Sequence, residues 1–195
     1  MRTMIATMLP SAGFGNKVPI LVPNAAEQVE IRHLLLANLN SFAFDFVLRQ
    51  KLHGQTINLF ILEQLPLIRP IAFERSIGRK KISTYLRDEV LALSYTAHDL
   101  APLAISLGYV DANGKVKAPF VWNETDRAQR MARIDALFMH LYGLNPEDAA
   151  YILSTFPIVR EKDLKRFGRY RTCDLILAYL ARIDSGQLSH LDIDL

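Results

Sequence analysis

The sequence predicts an α+β fold: a few-stranded first part with one long helix, residues 1–73, followed by a mainly helical part, residues 74–195. Three observations predict it. Ile, Val, Met and Thr crowd two short stretches near the start, long segments with helical apolar spacing follow, and the texture changes near residues 70–81, where Pro70 and "ERSIGRKK" break the pattern. Half of the 195 positions are hydrophobic, enough for a real core, and 22% charged residues keep the chain out of the disordered class.

Residues 2–10, with "TMIATMLP", read as a strand, and Ile20, Leu21 and Val22 as a second, ended by Pro23; Gly13 and Gly15 mark the loop between them. Asn24, with Glu27 three residues on, has the pattern of a capping box. From there the apolar spacing predicts one helix to about Lys51, roughly 40 Å long at ~1.5 Å per residue, with Gly54 as its stop. Residues 55–70 fit a strand or a short helix equally. A second helical zone covers residues 82–100, and Pro102 interrupts or restarts it.

Asn113-Gly114 between two apolar arms is a hairpin or loop signal. Asn123 caps a helix over 124–142 that Gly143 ends, and Asn145-Pro146 starts another that runs to about Ser154. Residues 156–172 read as a basic connection with room for one helical turn. A last helix over 174–183 precedes "SHLDIDL", read as a frayed acidic tail.

Several function classes find little support. No apolar run reaches the ~18 residues needed to span a bilayer, so a cytoplasmic location without membrane contact is expected. Cys173 stands alone, which excludes an intrachain disulfide framework and a zinc site of paired thiolates. There is no G-x-S-x-G elbow, and "GFG" lacks the third glycine of a dinucleotide cradle. His98-Asp99 is half of a metal-hydrolase pattern without further spaced ligands; packing and a helix end explain the pair as well.

The basic stretches say more. Arg160, Lys162, Lys165, Arg166, Arg169 and Arg171 share twelve positions with Phe167 and Tyr170, opposed only by Glu161 and Asp163. Such a segment can clamp phosphates; equally, it can be a solvated connection whose arginines pair with nearby carboxylates. Arg75, Arg79, Lys80 and Lys81 form a weaker patch. The net charge of +3 permits a nucleic-acid partner without requiring one.

Longer stretches carry a resemblance. "RTMIATMLPSAGFGNKVPIL" and "LLLANLNSFAFDFVLRQKLHGQTINLFILEQLPLI" resemble the second half of a target-recognition domain of large adenine-specific DNA methyltransferases, of the type IIG restriction-modification and BREX-like phage-defence families. "LSYTAHDLAPLAISLGY", "PFVWNETDRAQRMARIDALFMHLYGL" and "YILSTFPIVREKDLKRFGRYRTCDLILAYL" are similar to the helical tail of those enzymes. The family's Gly-rich cofactor motif and its Asn-Pro-Pro-aromatic motif do not occur; Asn145-Pro146 is followed by Glu147.

The resemblance therefore implies a non-catalytic DNA-recognition or positioning piece that serves a methyltransferase domain or subunit. S-adenosylmethionine belongs to that missing part, and no cofactor is expected in this chain. Double-stranded DNA is the implied partner. Arg49, Gln50 and Lys51 at the helix end, with His53 and Gln55 in the turn, would face DNA, Gln suiting adenine and Arg or Lys suiting guanine or phosphate. Asn16 and Lys17 in the first loop are rivals. Against this, Arg49 and Lys51 would also stabilise a helix C-terminus with no ligand at all. The alternative function is a helical docking module without DNA contact, and exposed apolar surface would favour it. A freestanding hydrolase using His98 and Asp99 is the weakest reading.

Overall fold

A computed structural model describes residues 2–10, 13, 15, 18–22, 26–52, 54 and 56–195, side chains of 26–30 excepted. The mostly helical α+β class is observed. Ten helices are joined among the described residues by one antiparallel two-stranded sheet, β1 (Ser76–Ile77) and β2 (Lys80–Lys81), with Ile77 opposite Lys80. Gly78 makes that turn at φ +58°, a conformation that glycine enters without a Cβ penalty.

The first part differs from expectation in detail. Residues 2–10 and 18–22 form no backbone ladder. The long helix is two, α1 (Ala26–Leu39) and α2 (Phe42–Lys51). Ser41 separates them: its Oγ donates to the Asn38 carbonyl at 2.8 Å and accepts from the Phe44 N–H at 3.2 Å, capping α2. A buried carboxylate reinforces the break, because Asp135 accepts the Phe42 N–H at 2.8 Å, at the positive end of the α2 dipole. The proposed cap at Asn24 lies outside the described residues.

Of the stretch expected as strand or short helix, the described residues from 56 on hold a single helical turn, α3 (Leu59–Leu62), with α4 (Pro70–Phe73) after it. Next come α5 (Ile82–Ser94), a 3-10 turn (His98–Leu100) and α6 (Ala101–Ser106), which carries Pro102 in its first turn. The Asn113-Gly114 loop closes an isolated bridge between Val110 and Val116. Helix α7 (Glu124–Leu141) starts at Asn123, whose side chain accepts the Asp126 N–H, and Gly143 follows its end at φ +72°. Helix α8 (Pro146–Ser154) has a full capping box between Asn145 and Asp148.

Two expectations for the second part are corrected. Residues 156–172 are not a loose connection but mostly helix, α9 (Pro157–Phe167), ended by Gly168 at φ +70°. The tail after α10 (Arg171–Asp184) is not frayed: Leu188 and Ile193 are buried, and the Gln129 amide donates to the Ile193 carbonyl at 2.8 Å.

The main core joins Leu34, Ala37, Phe42 and Phe73 to Leu86, Leu137, Phe138, Phe156, Ile176 and Leu180. Residues on both sides of the expected 73/74 boundary therefore pack together. Helix α7 lies chiefly against α10, α1 against α5, and α2 against α7 and α8. Two satellites flank this core, one around Met4, Phe44, Leu48 and Leu65, the other around Tyr95, Leu103 and Leu107. Among the described residues no helix is long and apolar enough to cross a membrane.

Candidate nucleic-acid interface

Helix α9 exists because Pro157 opens it at a position where a missing N–H costs nothing, and Gly168 closes it. Val159 and Tyr170 hold it to the core, and the Tyr170 hydroxyl donates to the Leu153 carbonyl at 3.0 Å. Asp163 accepts the Thr172 N–H at 2.6 Å, so this carboxylate serves the joint with α10 rather than the surface. Arg160, Lys162, Lys165 and Arg166 all stand exposed on the helix, with Glu161 among them.

Around Gly168 the cations gather on an aromatic ring. The guanidinium carbons of Arg166 and Arg171 lie 5.2 Å and 4.9 Å from the Phe167 centroid, within cation–π range. Arg166 also meets Glu124 at 2.9 Å and Arg169 approaches Asp174 at 3.8 Å. Both pairs are solvated and hold their partners weakly. The six basic residues thus lie on α9, in the turn that follows it and at the first position of α10, an arrangement that can meet a polyanion.

The α2 terminus is divided. Arg49 does not face outward: its Nε donates to Thr3 Oγ1 at 3.0 Å, its Nη1 to the Thr155 carbonyl at 3.1 Å, and its guanidinium lies 4.0 Å from the Phe156 centroid. The residue expected to meet DNA clamps the first segment to α2 and the end of α8. Gln50 and Lys51 are exposed beside an open groove of about 710 Å³, which Thr56, Asn58, Phe60 and Gln64 also line. Asn16, Lys17, His53 and Gln55 lie outside the described residues.

Missed from the sequence was a buried ionic cluster. Glu89 and Arg133 are both fully buried, joined at 2.7 Å. Arg130 reaches Glu89 at 2.9 Å, His190 Nδ1 lies 2.8 Å from it, and Arg133 donates to Asp192 at 2.7 Å. Burial alone raises a carboxyl's pKa, but hydrogen bonds from His190 and Arg133, with the charges of Arg133 and Arg130, hold Glu89 below its ordinary range. Desolvation pushes the Arg133 guanidinium down, and Glu89 and Asp192 more than reverse that. Burial raises the Tyr85 hydroxyl far above its ordinary value, and the charge of Glu89 adds to it. The signal was available: Glu89 follows Tyr85 and Leu86 on the buried stripe of α5, where a charge demands a partner. This cluster anchors the tail to α5 and α7.

Asp135 behaves oppositely. Its complete burial raises the pKa, and Arg2 with the Phe42 N–H offsets that only in part. His98 and Asp99 are both exposed, and no three His, Cys, Asp or Glu among the described residues converge as a metal-holding group. No family model, no curated protein and no solved structure matches the chain.

Proposed function

We propose that this chain is a non-catalytic DNA-recognition or positioning module. It acts beside an S-adenosylmethionine-dependent adenine methyltransferase domain or subunit that supplies the chemistry. The observation that carries the reading is the exposure of Arg160, Lys162, Lys165 and Arg166 on α9, followed by the half-exposed Arg169 and Arg171, with Asp163 drawn into a structural bond. A helix fixed to a core presents such charges to phosphates without first being ordered, and the sequence resemblance points to duplex DNA as the polyanion. Gln50 and Lys51, exposed at the end of α2, are the remaining described candidates for base or phosphate contact.

The test is fluorescence anisotropy on labelled duplexes between about 50 and 200 mM salt. Weak, salt-dependent and poorly sequence-selective binding is expected. Replacing Arg160, Lys162, Lys165 and Arg166 by Ala should weaken it and flatten the log–log salt slope by up to ~3.6, at ~0.9 per phosphate lost. Undetectable binding at low salt, or an unchanged slope in the variant, overturns the reading.

A second reading, a docking module of a large enzyme without DNA contact, draws on another observation. Phe60 and Ile71 are 61% and 69% exposed, with Leu59 and Leu67 nearby in sequence also exposed. Large apolar side chains left in water are a feature of interaction surfaces. The same anisotropy experiment separates the two, because docking alone predicts no salt-dependent duplex binding.

A further inference from the structure

Residues 2–10 make no backbone–backbone hydrogen bond among the described residues, yet their burial has the period of a strand. Met4 is buried and Ala6 and Met8 half-buried against the helices, while Ile5, Thr7 and Leu9 are exposed, Ile5 by 75% and Leu9 by 53%. Side chains of α2 and of the junction between α1 and α2 meet part of one edge of this segment. Asn40 imitates a neighbouring strand: its Oδ1 accepts the Ala6 N–H at 3.1 Å and its Nδ2 donates to the Ala6 carbonyl at 2.9 Å. Asp45 accepts the Thr3 N–H at 2.8 Å and the Met4 N–H at 3.0 Å, where the chain bends before the regular alternation of residues 4–9 begins.

In a strand, residues of one parity turn their main-chain groups to one edge and residues of the other parity to the opposite edge. Ile5, Thr7 and Leu9 therefore address the outer edge, where no backbone partner meets them among the described residues. Unpaired N–H and C=O groups in such a row are a template for another strand.

We propose that this edge pairs antiparallel with the same edge of a second copy of the chain, about a two-fold axis at Thr7. The sequence is self-complementary about that point. Ile5 falls opposite the partner's Leu9 and Thr7 opposite the partner's Thr7, so apolar meets apolar and hydroxyl meets hydroxyl. Residues 3–10 carry no charge, so no like charges are brought together. Because the contact is isologous, it consumes both edges and closes at a dimer.

Sedimentation velocity over a range of protein concentrations tests it. The wild-type chain should show a reversible monomer–dimer equilibrium. Thr7→Pro deletes the donor at the axis in both copies while leaving the Asn40 and Asp45 bonds untouched, and should raise the dimer Kd by about thirty-fold. Thr7→Lys, which sets two ammonium groups face to face, should do the same with an unchanged circular dichroism spectrum. Thr7→Cys in a Cys173→Ser background should form an interchain disulfide on oxidation, since hydrogen-bonded antiparallel pairs place their Cα atoms ~5.5 Å apart. A wild-type chain that stays monomeric at every concentration, one that grows past the dimer, or a dimer indifferent to both Thr7 variants overturns the proposal.

Discussion

Replacing Glu89 by Ala should be among the most damaging single changes in this protein. The carboxylate is fully buried and faces Arg133, itself 1% exposed, and Arg130, with His190 at 2.8 Å. Removing it leaves the Arg133 guanidinium buried with only Asp192 and the Tyr179 hydroxyl as its remaining polar partners. Breaking one side of a buried pair costs about 3–5 kcal/mol. For a chain of this length each kcal/mol shifts Tm by ~2–4 °C, so the melt should fall by roughly 6–20 °C. Calorimetry and urea titration measure it.

The double variant Glu89→Met, Arg133→Met should recover most of the loss, because the cost lies in the orphaned charge rather than in losing a favourable pair. The pH dependence has a definite sign. Glu89 is held below its ordinary range in the fold, so its contribution is present above the unfolded carboxyl value of about 4.3 and is lost as pH falls through the folded value. Glu89→Ala should therefore lose less stability than wild type on acidification. A single-variant cost under about 1 kcal/mol would refute the reasoning, since only a pair that water can reach is so inexpensive to break.

Other expectations follow from the same geometry. Asp135, raised by its burial, should make the folded state lose stability as pH rises through its folded pKa, and Asp135→Asn should lessen that loss in urea titrations from acid to neutral pH. Gly78 has φ +58°, and an added Cβ would sit 2.6 Å from the Gly186 carbonyl oxygen, so Gly78→Ala should cost about 1–3 kcal/mol by thermal melt. Ser41→Ala removes the α2 cap and should cost about 1 kcal/mol. Arg49→Ala, which frees the Thr155 carbonyl and uncovers Phe156, should destabilise by about 1–2 kcal/mol, whereas exposed Lys51→Ala should stay within about 0.5 kcal/mol.

Some of this was legible from short spans of residues. The helix starts at Asn123 and Asn145-Pro146 and the stop at Gly143 were readable because a cap is made by side chains within a few residues of the backbone they satisfy. Exposed Gln50 and Lys51 lie at the end of α2, where the helical spacing set them. The break at Ser41 was locally visible too, as Asn-Ser before an apolar run, but the unbroken spacing on either side concealed it. Residues 2–10 have the composition of a strand and the burial period of one, but a ladder needs a neighbour that composition cannot name. Helix α9 was read as a connection because charge dominates its face and few of its apolar residues, Val159 among them, reach the core.

The sequence by itself determined that the chain is mostly helical, where several of its helices start or stop, among them α7 and α8, and that its cations concentrate between residues 160 and 171. Those properties depend on neighbours within a turn or two. Only the tertiary structure decided which charges remain available: Arg49 is drawn onto Phe156, Asp163 onto the α10 backbone, and Arg133 onto Glu89, 44 residues away. A charge's fate depends on desolvation and on partners distant in the chain, and both are set when the helices pack.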